Sequence, residues 1–343
     1  RLECLPCQVV SKVRISLQNK RSLPPGTTFR TFRNSDPPKL VEIWNGSHLG
    51  RGSVSPLTIA EFDSLVLAKL YFDPKGLILA CQNENPVGFI HTGFGADENE
   101  ERLAKTWGVI SAVMILPEWQ RKGLGRALLD RAEEYLRQQG ARVIYAGGMR
   151  PVNPFYLGLY GGSELPGFLD SNEAARPFFE NNGYSEVDRC LVFHKDLLDM
   201  KALVDRRFSL LRRKMRVHYV SDTGHDSWWW ASLMGPFDRW KLEVRLRETA
   251  EVVAELSCWD MICFSRIWQQ RTVGIMDIQV AESWQGKGIG KFLLQELLVR
   301  LCDEGIQRVE VQTMQKNHRA ISLYKTSGFK QVDQGMIYRQ ESS

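Results

Sequence analysis

The stretch Gln279-Val-Ala-Glu-Ser-Trp-Gln285-Gly-Lys-Gly288-Ile-Gly290-Lys-Phe-Leu-Leu294 decides how this chain folds. The residues leading into it, Val273 to Val280, are apolar and rich in β-branched types, which predicts a buried strand. Beyond it, Ile289, Phe292, Leu293, Leu297, Leu298 and Leu301 recur at helical spacing. A strand therefore enters a glycine-rich turn, and the turn opens a helix. The chain repeats this arrangement: Met114-Ile-Leu-Pro-Glu-Trp-Gln120-Arg-Lys-Gly123-Leu-Gly125-Arg-Ala-Leu-Leu129. Gln120 and Gln285 stand 165 residues apart, and Trp119, Gly123 and Gly125 fall in register with Trp284, Gly288 and Gly290.

A second match follows each turn. The stretch from Asn172 through Phe179 to Gly183-Tyr184 pairs with Asn317 through Tyr324 to Gly328-Phe329, at a spacing of 145. The first copy thus carries 20 extra residues between its two motifs, and they include Asn153 to Ser163. Repeats this long are two domains, and 343 residues suit two domains. The expected division is an N-terminal extension over 1–27, a first domain over 28–196, a linker over 197–214 and a second domain over 215–343. Trp107 to Leu116, Val143 to Ala146 and Arg308 to Thr313 read as further strands, and Asn317 to Ser327 as a helix. Strand–helix–strand–helix order predicts a mixed α/β architecture. The first half has helical candidates near 38–49 and 59–70. The second half has less room there, and its Trp228-Trp229-Trp230 run is read chiefly as core or interface packing and otherwise as pocket lining.

Composition limits the function. The chain is 43% hydrophobic and 25% charged, with a net charge of +5, both signs being interspersed. A nucleic-acid binder concentrates more positive charge than this. The mixed charges between Leu197 and Lys214 read as a solvated connecting segment. No apolar run is long enough to span a bilayer, and Arg1-Leu2-Glu3-Cys4 does not read as a signal peptide. The expectation is a cytoplasmic protein that engages neither nucleic acid nor membrane. The 7 cysteines are scattered and odd in number, unlike a disulfide framework. Cys4 and Cys7 form an isolated Cys-x-x-Cys without a second pair, so no metal is expected.

The chemistry lies in the turn. A helix start leaves backbone N–H groups unpaired and carries a positive dipole end, while glycines let a phosphate approach the backbone. Such a turn is a pyrophosphate cradle. Neither copy has the third glycine of a dinucleotide fingerprint or the Gly-Lys-Ser/Thr ending of a Walker loop. The pattern Gln-x-x-Gly-x-Gly, with its strand before and helix after, instead resembles the acetyl-CoA signature of the GNAT superfamily of N-acetyltransferases. The resemblance runs from about Thr28 to Gln340 and is to the tandem, two-domain form.

That resemblance implies two GNAT folds, each a twisted, mostly antiparallel mixed sheet flanked by helices. In that fold the fourth and fifth strands splay apart to admit the pantetheine arm of acetyl-CoA. Carried onto this chain, it implies that Gln279 and Val280 bond the pantetheine or acetyl carbonyl through their backbone. Gln285, Gly286, Lys287, Gly288, Ile289, Gly290 and Lys291 would hold the pyrophosphate, and Asn317 would contact the pantetheine arm. In the first copy the corresponding residues are Met114, Ile115, Gln120, Arg121, Lys122, Gly123, Leu124, Gly125 and Arg126. Tyr324 would protonate the departing thiolate as general acid. Asp277, two residues before Gln279 on one strand face, is the candidate base. Its plain alternative is an exposed carboxylate.

The first copy departs from the pattern, with Phe179 in place of Tyr324 and Ala112 in place of Asp277. It keeps its loop, which leaves open whether it binds acetyl-CoA or chiefly supports the second copy. Tyr156 and Tyr160 in the insertion are substitute hydroxyls or, more simply, core residues. The function expected is acetyl transfer from acetyl-CoA to a small-molecule or peptide amine, catalysed by the second copy, in a protein taken to be a monomer. The competing reading is a non-catalytic acyl-CoA sensor.

Overall fold

The computed structural model describes residues 22–148, 152–198, 200, 206–221 and 227–340. Cys4 and Cys7, most of the expected N-terminal extension and part of the connecting segment lie outside the described residues.

The first half opens with β1 (Thr27–Thr31), α1 (Pro37–Gly46) and α2 (Ile59–Phe62). A capping box starts α2: Thr58 accepts from the Glu61 N–H while the Glu61 carboxylate accepts from the Thr58 N–H. The chain then forms a meander of β2 (Leu77–Gln82), β3 (Asn85–Ala96) and β4 (Leu103–Ile115). After β4 come α3 (Leu124–Gln138), β5 (Val143–Ala146), β6 (Phe168–Leu169), α4 (Ala175–Glu180) and β7 (Tyr184–Asp196).

The second half follows a related order, with an added helix before its fourth strand. It comprises α5 (Arg206–Lys214), β8 (Met215–Ser221), α6 (Trp228–Met234), β9 (Arg239–Leu246) and β10 (Val252–Asp260). Then follow α7 (Ile262–Trp268), β11 (Thr272–Val280), α8 (Ile289–Asp303), β12 (Arg308–Met314), α9 (His318–Thr326) and β13 (Lys330–Gln340). Asn317 caps α9 by accepting the Ala320 N–H at 3.1 Å. The periodic apolar face of α8, from Ile289 to Leu301, is buried against β9, β10 and β11.

All these strands form one mixed sheet in the order β1-β2-β3-β4-β5-β13-β7-β12-β11-β10-β9-β8, with β6 beside β13. Its pairs are antiparallel except β4–β5 and β11–β12. At the centre the halves exchange their last strands. The first half's β7 pairs with β12 from Asp196–Arg308 to Cys190–Met314. The second half's β13 lies between β5 and β7. Each half therefore completes its sheet with a strand supplied by the other.

Candidate active site

In the second half β11 and β12 pair over Thr272–Arg308 to Ile275–Val311. Past Ile275, β11 stays bonded to β10, whereas Gln312, Thr313 and Met314 of β12 pair with β7. The two parallel strands splay apart there. A β-bulge sits at the mouth: Ser257 faces Asp277 and Cys258 faces Ile275, so Met276 is the extra residue. Bulges re-aim side chains beside sites. The first half repeats both features, with pairing from Trp107–Val143 to Ile110–Ala146 and Ser111 as the extra residue.

Below the splay, the Gln285 side chain donates to the Val280 carbonyl at 3.1 Å and pins the loop to the strand. Gly286 and Gly288 have φ of +72° and +82°, and a Cβ on either would meet nothing within 4 Å. Together with the open backbone N–H groups at the start of α8, this is a cradle with room for a phosphate. The Lys287 ammonium lies 5.0 Å over the Trp284 ring. In the first half Gln120 donates to the Ile115 carbonyl at 2.9 Å, and Lys122 lies 4.5 Å over Trp119. Arg121 adopts φ +60° where the second half has Gly286. The cradles differ at their helix starts. A Cβ on Gly125 would come within 2.9 Å of the Phe178 ring, whereas on Gly290 the nearest atom, in Val280, is at 3.6 Å. Gly125 thus sits against an aromatic side chain that Leu323 replaces in the second half.

Tyr324 projects from α9 among Phe193 and Phe329 and is 5% exposed. Burial pushes its phenol well above its ordinary range, and the Glu164 and Asp277 carboxylates add to the shift. The phenol therefore keeps its proton at neutral pH. Asp277 and Gln279 are exposed on one face of β11, and the Gln279 amide donates to Asp277 Oδ2 at 2.6 Å.

Beside the splay lies a cavity of about 140 Å³ between the halves. Met276, Thr313 and Met314 line one side, Cys190 of β7 the floor, and Trp230, Leu233 and Met234 of α6 another wall. The remaining wall is the first half's insertion: Asn153, Leu157, Ser163, Glu164 and Leu165. Burial raises the Cys190 thiol far above its usual range, with Glu164 contributing, so it is neutral. Lys69 of the first half donates to the Ser232 carbonyl at 2.5 Å and fixes the end of α6; burial lowers its pKa to about 8. Of the tryptophan run, Trp229 is fully buried against Tyr71 while Trp230 reaches the cavity. None of the inserted residues carries a motif, so Glu164 was invisible as a site candidate; the extra chain length was the sole pointer to it.

In the first half the equivalent space is filled. Ala112 and Met114 are buried in a core with Trp44, Phe155 and Tyr156. The Tyr156 hydroxyl lies 2.9 Å from His91 Nδ1, and the Tyr160 hydroxyl accepts the Leu169 N–H at 2.9 Å. Both insertion tyrosines are core residues. Phe179 is 1% exposed and stacks on Tyr338 with centroids 5.3 Å apart. Among the described residues no group of His, Cys, Asp and Glu is arranged to hold a metal, and no helix is long and apolar enough to cross a membrane.

Comparison with known proteins agrees with this geometry. The model of the acetyltransferase (GNAT) family matches residues 39–161 and 227–329. The chain belongs to the GNAT family and carries two copies of its domain. A mycothiol acetyltransferase from Rhodococcus erythropolis is 32% identical over 126 residues, 36% of this chain and 41% of that protein. One from Tsukamurella paurometabola is 30% identical over 154 residues, 40% of this chain and 48% of that protein. The matched region thus spans less than half the length of these curated relatives. A tandem GNAT protein from the clavulanic acid biosynthesis pathway superposes with a TM-score of 0.62 at 12% identity, covering 92% of this chain and 99% of its own. The glucosamine N-acetyltransferase region of a fungal multi-domain β-N-acetylglucosaminidase reaches 0.67 at 20% identity, over 92% of this chain and 38% of that one. At these identities the structures speak for the fold alone.

Proposed function

We propose that this protein is an acyltransferase that moves the acetyl group of acetyl-CoA to an acceptor amine, with the chemistry in the second copy. The observation that carries the reading is Tyr324: a buried, protonated phenol within electrostatic reach of Asp277 on the splayed strand and of Glu164 in the cavity wall. We take 28–196 and 215–343 as the two copies, joined by 197–214.

Acetyl-CoA would supply an activated acetyl thioester. The cradle fits its pyrophosphate, since Gly286 and Gly288 leave open space above the backbone. Gln285 to Lys291 would bind there, through N–H groups at the start of α8 and the ammonium groups of Lys287 and Lys291. Gln279 and Val280 would offer the splayed edge of β11 to the pantetheine arm, near Asn317. Tyr324 holds at its phenol oxygen the proton that the departing thiolate takes. Asp277 would accept the amine's proton through solvent, since it is exposed and bonded to the Gln279 amide. The first copy offers neither a phenol nor a carboxylate at these positions, and we assign it chiefly a supporting role.

The test combines calorimetry with turnover. Acetyl-CoA should bind the wild-type chain, and Tyr324→Phe should keep that affinity while lowering kcat by about 10²-fold or more, the usual scale for a lost general acid. Loss of acetyl-CoA binding in the folded wild type would overturn the reading.

A further inference from the structure

The cavity opens off the point where the two parallel strands separate. Met276 belongs to the bulge of β11, and Thr313 and Met314 to the stretch of β12 beyond the splay. Behind them the walls are mostly apolar, with Leu157, Leu165, Leu233 and Met234. The polar members of the lining are already occupied or neutral. Glu164 and Trp230 have partners of their own. The Cys190 thiol is neutral and donates to Gln312 Oε1 at 3.8 Å, and Ser163 is buried. A charged or strongly polar body would lose its water here for little return, so the space suits neutral hydrocarbon. Its volume of about 140 Å³ matches the roughly 150 Å³ of an apolar cavity that accepts benzene, a body of six carbons.

We propose that this cavity receives the acyl chain of the donor, so that the second copy takes a short-chain acyl-CoA, butanoyl to hexanoyl, in preference to acetyl-CoA. The proposal rests on the acyltransferase reading for the identity of the donor as a CoA thioester.

Position favours the donor over the acceptor as occupant. In that reading the amine's proton leaves through Asp277, which stands exposed with Gln279 on β11; neither residue lines the cavity. The amine therefore meets the thioester from solvent, and the cavity between the halves is left to the group that already lies in the splay. Asp277 and Glu164 both act on the Tyr324 phenol, which puts the departing sulfur between β11 and the cavity wall. The step is the same for any chain length: the amine forms the C–N bond, the C–S bond breaks, and the thiolate takes the phenol's proton. The first copy shows what this place holds when filled, since the rings of Phe155 and Tyr156 share a core with Ala112 and Met114.

The wall contributed by the first half is fastened to the second. The Gln312 side chain donates to the carbonyls of Gly161 at 2.8 Å and Glu164 at 3.1 Å. The Ser163 N–H donates to the buried Glu310 carboxylate at 2.5 Å, and the Trp259 indole donates to the Ser163 carbonyl at 3.1 Å. These bonds set the cavity before any ligand arrives, so little is lost in ordering it. Each methylene moved from water into it should tighten binding by about 4-fold.

Calorimetry on the full-length chain, with acetyl-, butanoyl-, hexanoyl- and octanoyl-CoA as ligands, tests the proposal. Hexanoyl-CoA should bind at least 10-fold tighter than acetyl-CoA, with butanoyl-CoA between them and octanoyl-CoA no tighter than hexanoyl-CoA. Leu165→Trp and, independently, Leu157→Phe add bulk to the cavity and should cut the hexanoyl-to-acetyl ratio to less than 3-fold, melting temperatures confirming that each variant folds. Equal affinity for acetyl- and hexanoyl-CoA, a continued rise to octanoyl-CoA, or a ratio that neither folded variant changes would overturn the acyl pocket and leave the acyltransferase reading standing. Chain-dependent binding without transfer to an alkylamine, glucosamine or a lysine-containing peptide would do the reverse. Absence of binding by all four thioesters would overturn both.

Discussion

Between Ile110 and Ile115 in the first copy, and between Ile275 and Val280 in the second, a strand parts from its parallel neighbour after the same four pairs and past the same bulge. What stands against the two strands differs. Ala112 and Met114 lie under Phe155, Tyr156 and Trp44 in a closed aromatic core. Asp277 and Gln279 stand exposed, and Met276 borders a cavity. The insertion explains both states, since it turns Phe155 and Tyr156 into the first copy and carries Glu164 to the second. A copy can therefore keep backbone, bulge and loop while side chains occupy its site, and the occupying segment can become a wall of its partner's site.

The largest test of this comparison is to separate the copies. Residues 215–343 alone lack β7, which pairs along β12 and β13, and residues 1–214 lack β13. Each fragment should fail to show the cooperative melt of the full chain by circular dichroism, because it exposes unpaired edges at its centre. A fragment melting within a few degrees of the intact protein would show that the strand exchange is dispensable.

The next test uses the first copy's filled core. His91 is fully buried, and burial lowers its pKa to about 3. In the unfolded chain it titrates near 6.5. Between these values the unfolded chain binds a proton that the folded chain does not. Its contribution is intact above pH 6.5 and is lost as the pH falls toward 3, by on the order of 5 kcal/mol at most. Denaturant melts of His91→Gln should show a flatter fall in stability across that window. Ser257 occupies the matching place opposite Asp277, so the second copy has no such histidine.

A smaller effect sharpens the contrast between cradles. Gly288→Glu places bulk and negative charge where a phosphate would sit, and should weaken acetyl-CoA binding by 10-fold or more, roughly 1.4 kcal/mol. Gly123→Glu should change the measured affinity by less than 3-fold if Phe178 keeps the first cradle closed. Equal losses from the two substitutions, seen by calorimetry, would mean that both cradles are used. Among the catalytic substitutions the smaller effect is expected from Asp277→Asn. An exposed carboxylate acting through solvent is partly replaced by water, so kcat should fall by less than 10-fold, with the pH–rate profile shifted rather than abolished.

Much of this molecule is legible in its residues. The register of Gln120 with Gln285, the helical spacing from Ile289 to Leu301 and the Asn317 cap each act over one or two turns of backbone. Local physics therefore specified the strand, turn and helix of each copy. The gap in residue type between Phe179 and Tyr324, and between Ala112 and Asp277, marked the copies as unequal before any coordinates. The tertiary structure alone decided that β7 and β13 change places, because strand pairing depends on which edges meet and leaves no mark in either strand's own pattern. It also decided that Glu164 stands in the second copy's cavity, 113 positions before Asp277 in the chain. Its place comes from hydrogen bonds to Gln312, Glu310 and Trp259, which exist only once the halves have closed on one another.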